Sequence, residues 1–397
     1  MTSIIRNVEI LELGEKGREI SSPWSSTILL VRLTTDDGVV GYGEAPTTLM
    51  TLPVKESMEE VKRFFSGKDA FNVEANLKEF YKHSFYLSKS MEATSALSAF
   101  EIASWDIIGK TLGTPIYKLL GGEFRKEIRA YANGWYSECV TPEDFVKKGK
   151  SVMAKGFDAM KFDPFGPNYD TIDRKGVGDA VEIVSAMRGD LGDDVDLLIE
   201  CHGRFSLKAA IDVATSLDQF EPLFIEEPLH PELEIGLLEL KKYIRTPIAL
   251  GERLLNKADF ARYISQGMVD VIQPDLTNSL GILENKKTAA IADAFGIPVA
   301  FHNAFGPIQT AATLNIDMTI PNFLIQESFE AFWPDWKRNL VKSGYTLEGG
   351  KFRLSGKPGL GIEVDEKIIE SNSVEGMEPY DPQEPPWVVS GTFRSKE

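Results

Sequence analysis

The chain has 397 residues, is 43% hydrophobic and 26% charged, and carries a formal net charge of −17. This composition is typical of a globular protein with a large core, and the negative charge argues against a nucleic-acid surface. No apolar run approaches the roughly 18 residues of a membrane span. The N-terminus lacks an apolar signal segment, and the two cysteines do not make a disulfide framework. We therefore expect a cytoplasmic protein with no nucleic-acid or membrane partner.

The first part of the chain predicts an α+β domain. Residues 28–33 and 39–43 are strand-like runs on either side of Thr-Thr-Asp-Asp-Gly, a turn signal, and they predict a β-hairpin. Residues from about 54 to 119 predict helices because their apolar residues recur at helical spacing. We expect this domain to span residues 1–125.

From about residue 128, short strand-like runs alternate with segments of helical period. The runs end near eight polar residues: Asn133, Asp163, Glu200, Glu226, Glu252, Asp275, His302 and Glu327. Eight units of similar length favour a closed parallel (β/α)8 barrel, a modified TIM barrel, over a doubly wound open sheet. We expect the barrel to span 126–335 and the segment 336–397 to pack back on the first domain. In such barrels the chemistry lies at the carboxyl ends of the strands.

Three of these residues, Glu200, Glu226 and Glu252, follow one another at intervals of 26 residues, and each ends a short apolar run. Three converging buried carboxylates would repel one another, and a divalent cation removes that conflict. Oxygen ligands suit Mg²⁺, with Mn²⁺ as the alternative ion, whereas the lack of clustered Cys and His argues against zinc. The competing interpretation is three unrelated strand-end acids paired with Lys or Arg. We predict a Mg²⁺ site.

Two of the four histidines also stand at predicted strand ends. Asp275 and His302 end neighbouring strands, and a carboxylate beside an imidazole orients it and raises its basicity. They therefore predict a catalytic base dyad. His202 lies two residues beyond Glu200 and is expected to point the same way, beside the metal. For each histidine the alternative is a buried side chain with a structural partner.

Lys161 and Glu327 are predicted catalytic members whose roles the sequence leaves open. Lys161 lies on the second predicted strand, on the same face as Asp163, and either acts as a base or binds a substrate carboxylate. Glu327 closes the eighth strand. It either hydrogen-bonds a developing enediolate in its protonated form or anchors a neighbouring side chain.

Together these residues suit removal of a proton next to a carboxylate group. Such a proton is weakly acidic because the product is a dianionic enediolate, whose charge a bound cation would stabilise. A base at His302 on one side of the metal and an acid at His202 on the other would eliminate water from adjacent carbons. The constellation therefore predicts a dehydratase.

At this point the chain resembles the mandelate-racemase-like branch of the enolase superfamily, over nearly its whole length. The motifs are Ile-Glu-Cys-His-Gly-Arg ending at Arg204, Phe-Ile-Glu-Glu-Pro ending at Pro228, Ala-Leu-Gly-Glu-Arg ending at Arg253, Gln-Pro-Asp ending at Asp275, and His302. The resemblance implies three metal ligands, an acid histidine and a base dyad at these positions. It also implies that the N-terminal domain caps the barrel and is completed by the C-terminal segment.

Within that branch the chain is most similar to the archaeal gluconate dehydratases, through residues 131–136, 160–167, 273–278 and 301–306. This implies conversion of D-gluconate to 2-keto-3-deoxy-D-gluconate, with D-galactonate as a second substrate, and a homo-oligomer between a dimer and an octamer. Racemases of the family carry Lys-x-Lys where this chain has Lys161 and Asp163, which weakens a racemase interpretation. The alternatives are a 2-hydroxy-acid racemase or epimerase, a dehydratase of xylonate, fuconate or rhamnonate, and a non-catalytic metal-binding barrel.

The family sets substrate specificity with two loops of the capping domain, here expected near residues 14–27 and 44–53. The predicted substrate contacts combine these loops with polar and aromatic residues of the barrel and cap. They are Lys161, Asp163, Arg204, Asn133, Trp135, Tyr136, Trp24, Thr48 and Tyr86.

Overall fold

A computed structural model describes residues 2–15, 27–47, 51–374 and 376. An antiparallel sheet in the order β1-β2-β3 begins the fold. Its strands are β1 (Ile5–Gly14), β2 (Thr27–Thr35) and β3 (Val40–Ala45). The predicted hairpin is confirmed, since β2 and β3 pair across the turn that Gly38 closes with a φ of 83°.

Helices pack on one face of this sheet. They are α1 (Thr51–Phe65), α2 (Val73–His83), α3 (Met91–Thr111) and α4 (Ile116–Leu119). The buried helix α3 begins at Ser90, whose hydroxyl accepts a hydrogen bond from the N–H of Ala93 at 3.2 Å. Its backbone approaches β3 closely, because a Cβ at Gly43 would lie only 1.8 Å from the carbonyl oxygen of Ala99. Glycine in β3 thus sets the distance between sheet and helix.

A closed ring of parallel strands forms the second part of the fold. Its named strands are β4 (Ile128–Ala132), β5 (Ala159–Phe162), β6 (Asp196–Glu200), β7 (Phe224–Glu226), β8 (Ile248–Leu250), β9 (Val271–Ile272) and β10 (Gln326–Ser328). The seventh position is held by single bridges from Val299 to Ile272 and Phe323, and β10 pairs with β4. The predicted (β/α)8 barrel is confirmed.

Helices follow the strands around the outside of the barrel. They are α5 (Pro142–Ala154), α6 (Arg174–Leu191), α7 (Leu207–Leu217), α8 (Gly236–Leu240), α9 (Lys257–Ser265), α10 (Gly281–Ala294), α11 (Pro307–Asp317) and α12 (Asp335–Asn339). Local sequence fixes several starts: Thr141 and Asp144 form a capping box at α5, and the Asn256 side chain caps α9.

Two successive layers of side chains explain why the site lies where it does. The lower layer is an apolar cluster contributed by all eight strand positions: Tyr131, Ala159, Leu198, Phe224, Ala249, Val271, Ala300 and Ile325. Two residues further along each strand lie Asn133, Lys161, Glu200, Glu226, Gly251, Gln273, His302 and Glu327. Because side chains alternate with a period of two, these residues enter the same interior one layer higher. We call this second set the polar layer.

The rest of the chain first pairs with barrel strand β4 and then returns to the N-terminal sheet. The last elements are β11 (Val341–Ser343), β12 (Tyr345–Glu348), β13 (Lys351–Leu354), β14 (Glu363–Val364) and α13 (Glu366–Asn372). The Glu366 carboxylate accepts hydrogen bonds from Arg32, at 2.8 Å, and from Tyr42. The domain limits at residues 125 and 335 stay predictions. Within the described ranges, no helix is long and apolar enough to cross a membrane.

Candidate active site

The ammonium group of Lys161 occupies the middle of the polar layer. Its Nζ lies 2.7 Å from Glu226 Oε2, 2.9 Å from Glu200 Oε2 and 3.0 Å from Glu327 Oε1, and the residue is 1% exposed. Burial alone would lower the pKa of Lys161, but the three carboxylates raise it well above its ordinary value. The three contacts favour the protonated form of Lys161, and its two predicted roles stay predictions.

The carboxylates of Glu200 and Glu226 lie side by side because β6 and β7 pair these two residues directly. Burial raises the pKa of Glu200 to about 7 and that of Glu226 to about 8. Glu226 Oε1 is buried without a hydrogen-bond partner among the described residues. Glu252 lies two residues beyond β8, with Oε2 3.2 Å from His302 Nε2. The three predicted ligands thus lie at one end of the barrel.

The carboxylates form a cluster, and the ammonium group of Lys161 balances part of their negative charge. Across residues 2–15, 27–47 and 51–374, no three acidic, His or Cys side chains are arranged as a finished cation site. Lys161 accounts for this, because its ammonium bridges Glu200 and Glu226. The donor chemistry nevertheless fits a hard divalent cation, since all donors are oxygens and Glu226 Oε1 has no partner among the described residues. The ligand assignment stays a prediction.

The predicted dyad residues are in contact. His302 Nδ1 lies 2.6 Å from Asp275 Oδ2, so the ring donates from Nδ1 and leaves Nε2 facing the barrel interior. Asp275 is fully buried and also accepts from the Thr277 N–H at 2.6 Å. Burial would lower the pKa of His302, but Glu252, Glu327 and Asp275 together raise it well above its ordinary value.

A second histidine–aspartate pair lies across the barrel. His202 Nδ1 is 3.0 Å from Asp163 Oδ2, and the Arg204 guanidinium binds the same oxygen. Burial, followed by Arg204, lowers the pKa of His202 in spite of Asp163. The strand ends at Glu200, so strand alternation does not place this ring. His202 instead adopts a left-handed φ of 51°, a strain typical of functional sites, and its N–H binds Glu200 Oε1 at 2.7 Å.

Arg204 is not exposed to substrate, contrary to its prediction as a substrate contact. The side chain is fully buried, with its guanidinium 5.5 Å from the centre of the Phe165 ring and 5.6 Å from that of Phe205. Asp163 is similarly committed to protein partners, because its other oxygen accepts from the Phe165 N–H at 3.0 Å. Arg204 therefore reaches His202 through Asp163, and contact of Asp163 with a substrate stays a prediction.

Glu327 and Asn133 brace the cluster. Glu327 accepts from Asn133 Nδ2 and from the Asn303 N–H, each at 2.8 Å. Burial would raise the pKa of Glu327, but Lys161, His302 and these donors lower it to about 2. Of its two predicted roles, the structure favours the anchoring one, since a protonated Glu327 would need the opposite shift.

The aromatic residues predicted as substrate contacts lie in different surroundings. Trp135 is 4% exposed and donates from Nε1 to the carbonyl oxygen of Lys161 at 2.9 Å, so it packs in the core, and its contact with a substrate stays a prediction. Tyr86 is 86% exposed, with the centre of its ring 4.4 Å from that of Phe85, and its contact with a substrate stays a prediction. Tyr136 is half-buried beside the second histidine pair. Trp24 and Thr48 lie outside the described residues.

Three site residues escaped the sequence analysis. Gln273 Nε2 donates to Glu226 Oε2 at 2.6 Å, the Asn303 N–H binds Glu327, and Gln309 Nε2 donates to Asp275 Oδ2 at 2.8 Å. Strand alternation from Val271 would have identified Gln273. Gln309 lies on α11 and carries no strand-end signal.

Two family descriptions match this chain. Residues 20–121 match the N-terminal domain of the mandelate racemase / muconate lactonizing enzyme family, and residues 144–368 match the enolase C-terminal domain-like family. The barrel and the carboxylates at its strand ends agree with these two matches. The chain therefore belongs to the mandelate racemase/muconate lactonizing enzyme group of the enolase superfamily. The resemblance inferred from the sequence is confirmed.

Several individual proteins of this family are similar to the chain over nearly its whole length. A D-gluconate/D-galactonate dehydratase of Picrophilus torridus is 67% identical over 98% of this chain and 99% of its own length. A D-gluconate dehydratase of Thermoproteus tenax is 42% identical over 98% of this chain and 78% of its own length. Among solved structures, a mandelate racemase/muconate lactonizing enzyme from a Sulfitobacter species superposes with a TM-score of 0.87 at 29% identity, over 97% of this chain and 99% of that one.

Proposed function

We propose that this chain is a sugar-acid dehydratase that converts D-gluconate to 2-keto-3-deoxy-D-gluconate and water, with D-galactonate as a second substrate. The names of the Picrophilus and Thermoproteus relatives support the substrate. The structural observation that carries the reaction is the pair of histidine–aspartate contacts, His302–Asp275 and His202–Asp163. They stand at the seventh and third of eight strand positions, and therefore face each other across the glutamates.

Proton abstraction is assigned to His302. Because Nδ1 donates to Asp275, Nε2 is the nitrogen that takes the carbon-2 proton of the substrate. The high pKa of His302 originates partly in Glu252, so the ring becomes an effective base once the charge of that glutamate is engaged elsewhere. Glu200, Glu226 and Glu252 would hold Mg²⁺, or Mn²⁺ in its place. When bound, the ion supplies electrostatic stabilisation of the negative charge that develops on the substrate carboxylate.

Release of the 3-hydroxyl is assigned to His202. The carbon–oxygen bond at carbon 3 breaks, and the departing hydroxyl takes a proton from Nε2 and leaves as water. Asp163 accepts from Nδ1, which fixes the ring and stabilises the doubly protonated form that donates from Nε2, and Arg204 holds Asp163 in place. The enol that remains loses its hydroxyl proton, takes up a proton at carbon 3 and becomes the 2-keto-3-deoxy acid.

Lys161 bears on the racemase alternative. A racemase of this kind needs a second base on the opposite face of carbon 2, and Lys161 would have to lose a proton to serve. Glu327, which is not among the proposed cation ligands, lies 3.0 Å from its ammonium and opposes that loss. Elimination therefore fits this site better than racemisation, and binding of a substrate carboxylate remains the role proposed for Lys161.

Further proposals concern the surroundings of the site. Loops 14–27 and 44–53 would set specificity through Trp24 and Thr48, with Tyr136 beside the second pair. We also propose a cytoplasmic homo-oligomer, between a dimer and an octamer, and the exposed neighbours Phe85 and Tyr86 support a surface that another copy would cover. Light scattering of the purified protein tests the oligomer.

A sugar-acid screen tests the function. Purified protein is incubated with Mg²⁺ and with gluconate, galactonate, xylonate, arabinonate, fuconate or rhamnonate, and 2-keto-3-deoxy products are detected by semicarbazide absorbance. A signal with gluconate that a chelator abolishes is the expected result. A signal with xylonate alone would keep the reaction and replace the substrate, an outcome of interest because a D-xylonate dehydratase of Haloferax volcanii is 32% identical over 95% of this chain and 92% of its own length.

A further inference from the structure

A buried carboxylate of the N-terminal sheet reaches the barrel helix that follows the strand of His302. Glu44, in β3, is 1% exposed, and its Oε2 accepts hydrogen bonds from the N–H groups of Ile308 at 3.1 Å and Gln309 at 2.9 Å. These donors belong to the first turn of α11, where a negative charge is stabilised. A Cβ at Gly306 would lie 2.4 Å from Glu44 Oε1, so only glycine leaves room for this contact.

The same first turn holds the base dyad through a side chain. Gln309 is fully buried, and its Oε1 accepts from the Phe305 N–H at 2.9 Å. That bond orients the amide so that Nε2 donates to Asp275 Oδ2 at 2.8 Å. The oxygen receiving this bond is the one that holds His302 Nδ1 at 2.6 Å. A hydrogen-bonded chain therefore runs from Glu44 in the cap to the imidazole of His302.

We propose that Gln309 is a positioning residue for the base dyad, and that Glu44 couples its placement to docking of the N-terminal domain on the barrel. Only the predicted change in kcat rests on the proposed function; the hydrogen bonds of the resting protein do not depend on it. Gln309 fixes which oxygen of Asp275 faces His302, and Glu44 fixes the backbone from which Gln309 extends. The contact of Glu44 with the first turn of α11 thereby holds both the cap and the catalytic base in position.

A second cap carboxylate provides an internal control. Glu101, on α3, is also 1% exposed, and it accepts from the N–H groups of Ile282 at 2.7 Å and Leu283 at 2.9 Å in the first turn of α10. Its third contact is the Trp105 indole N–H at 2.9 Å. Glu101 therefore docks the cap on a helix start as Glu44 does. The side-chain contacts that continue from that helix start, through Asn285 and Ser279, end on the backbone carbonyl of Asp275 and not on its carboxylate.

The test substitutes Gln309 and reads both catalysis and the resting protein. Gln309→Met keeps the length of the side chain and removes its hydrogen bonds. We expect kcat for gluconate to fall about tenfold or more, with KM within about threefold, because the lost bond involved a charged partner. Gln309→Asn, whose shorter amide withdraws from Asp275, serves as the second variant should the first not fold.

A signal that needs no substrate separates this inference from the proposed function. Protein labelled with ¹⁵N-histidine contains four labelled residues, and His302→Asn identifies the low-field proton of the bond to Asp275. We expect that resonance to shift or broaden in Gln309→Met. An unchanged resonance would overturn the inference, whether or not wild-type protein dehydrates any sugar acid. A wild-type protein silent towards every aldonate would overturn the proposed function alone.

The paired cap variants complete the test. Glu44→Gln and Glu101→Gln each exchange one acceptor oxygen at a helix start for an amide donor, so both should lower the unfolding temperature. Only Glu44→Gln should also lower kcat and shift the His302 resonance. Equal losses of kcat in the two variants would contradict a specific coupling through Glu44 and leave general cap docking as the cause.

Discussion

The barrel mouth contains two histidine–aspartate pairs that differ in what surrounds them. Asp275 has neutral donors besides His302, while His302 itself faces the acids Glu252 and Glu327. Asp163 instead shares its charge between His202 and the buried Arg204. The pKa of His302 is raised and that of His202 is lowered.

The comparison teaches that one residue pairing serves two roles when the charge around it differs. Asp275 accepts from Nδ1 of His302 and stabilises the protonated ring, as a group that must receive a proton requires. Burial and the guanidinium beside Asp163 lower the pKa of His202, as a group that must donate requires. The predictions below disturb first what both pairs share and then each pair alone.

The largest effect is expected from Glu226→Gln, because Glu226 belongs to the cluster that both pairs face. Turnover should fall by about 10³-fold or more, since several kcal/mol of charge stabilisation would be lost with the ion. Titration calorimetry should show loss of Mg²⁺ binding. The control is Glu234→Gln, a change outside the polar layer at a residue that contacts Tyr263. Tight Mg²⁺ binding by Glu226→Gln would remove that residue from the ligand set.

His302→Asn removes the histidine of the first pair and leaves the second pair intact. We expect turnover to fall by at least about 10²-fold, the usual contribution of a general base, while calorimetric Mg²⁺ binding persists. Turnover close to that of the wild type would exclude the first pair from the mechanism.

Asp163→Asn alters only the second pair, between His202 and Asp163. The substitution keeps the shape of the side chain but removes the negative charge that orients His202. Turnover should fall by about 10- to 10²-fold, the range for one charge-assisted hydrogen bond. Steady-state kinetics checks this, and a rise in KM at constant kcat would instead restore Asp163 as a substrate contact.

The smallest effect is expected from Trp135→Phe. The ring stays in its apolar surroundings, and only the hydrogen bond to the Lys161 carbonyl is lost. Stability should fall by about 1 kcal/mol in urea unfolding, with kcat and KM within about threefold of the wild type. A large rise in KM would show that Trp135 contacts the substrate after all.

Much of the site followed from the sequence because strand geometry is periodic. An apolar run with a period of two predicts which residues enter the barrel, and its last inward residue lies at the mouth. Glu200, Glu226, His302 and Glu327 were found in this way, and they lie in the polar layer. The family resemblance and the barrel fold, both confirmed, depend on the same spacing.

Contacts across the barrel did not follow from the sequence, since spacing along the chain carries no signal for them. Gln309 reaches Asp275 from a helix 34 positions further on. Arg204 is buried because the Phe165 and Phe205 rings and Asp163 compensate its charge, and spacing along the chain does not show which residues supply those contacts. For Trp135 the sequence does not separate a core ring from a substrate contact, because an aromatic ring near a strand end serves either role.

The division of labour between the two histidines is tested most directly by exchange of the carbon-2 proton in D₂O. Gluconate is incubated with Mg²⁺ and either His202→Asn or His302→Asn, and deuterium at carbon 2 is followed by NMR. We predict that His202→Asn incorporates deuterium without forming the 2-keto-3-deoxy acid, and that His302→Asn does neither. Exchange that persists in His302→Asn and disappears in His202→Asn would contradict the assignment of base and acid.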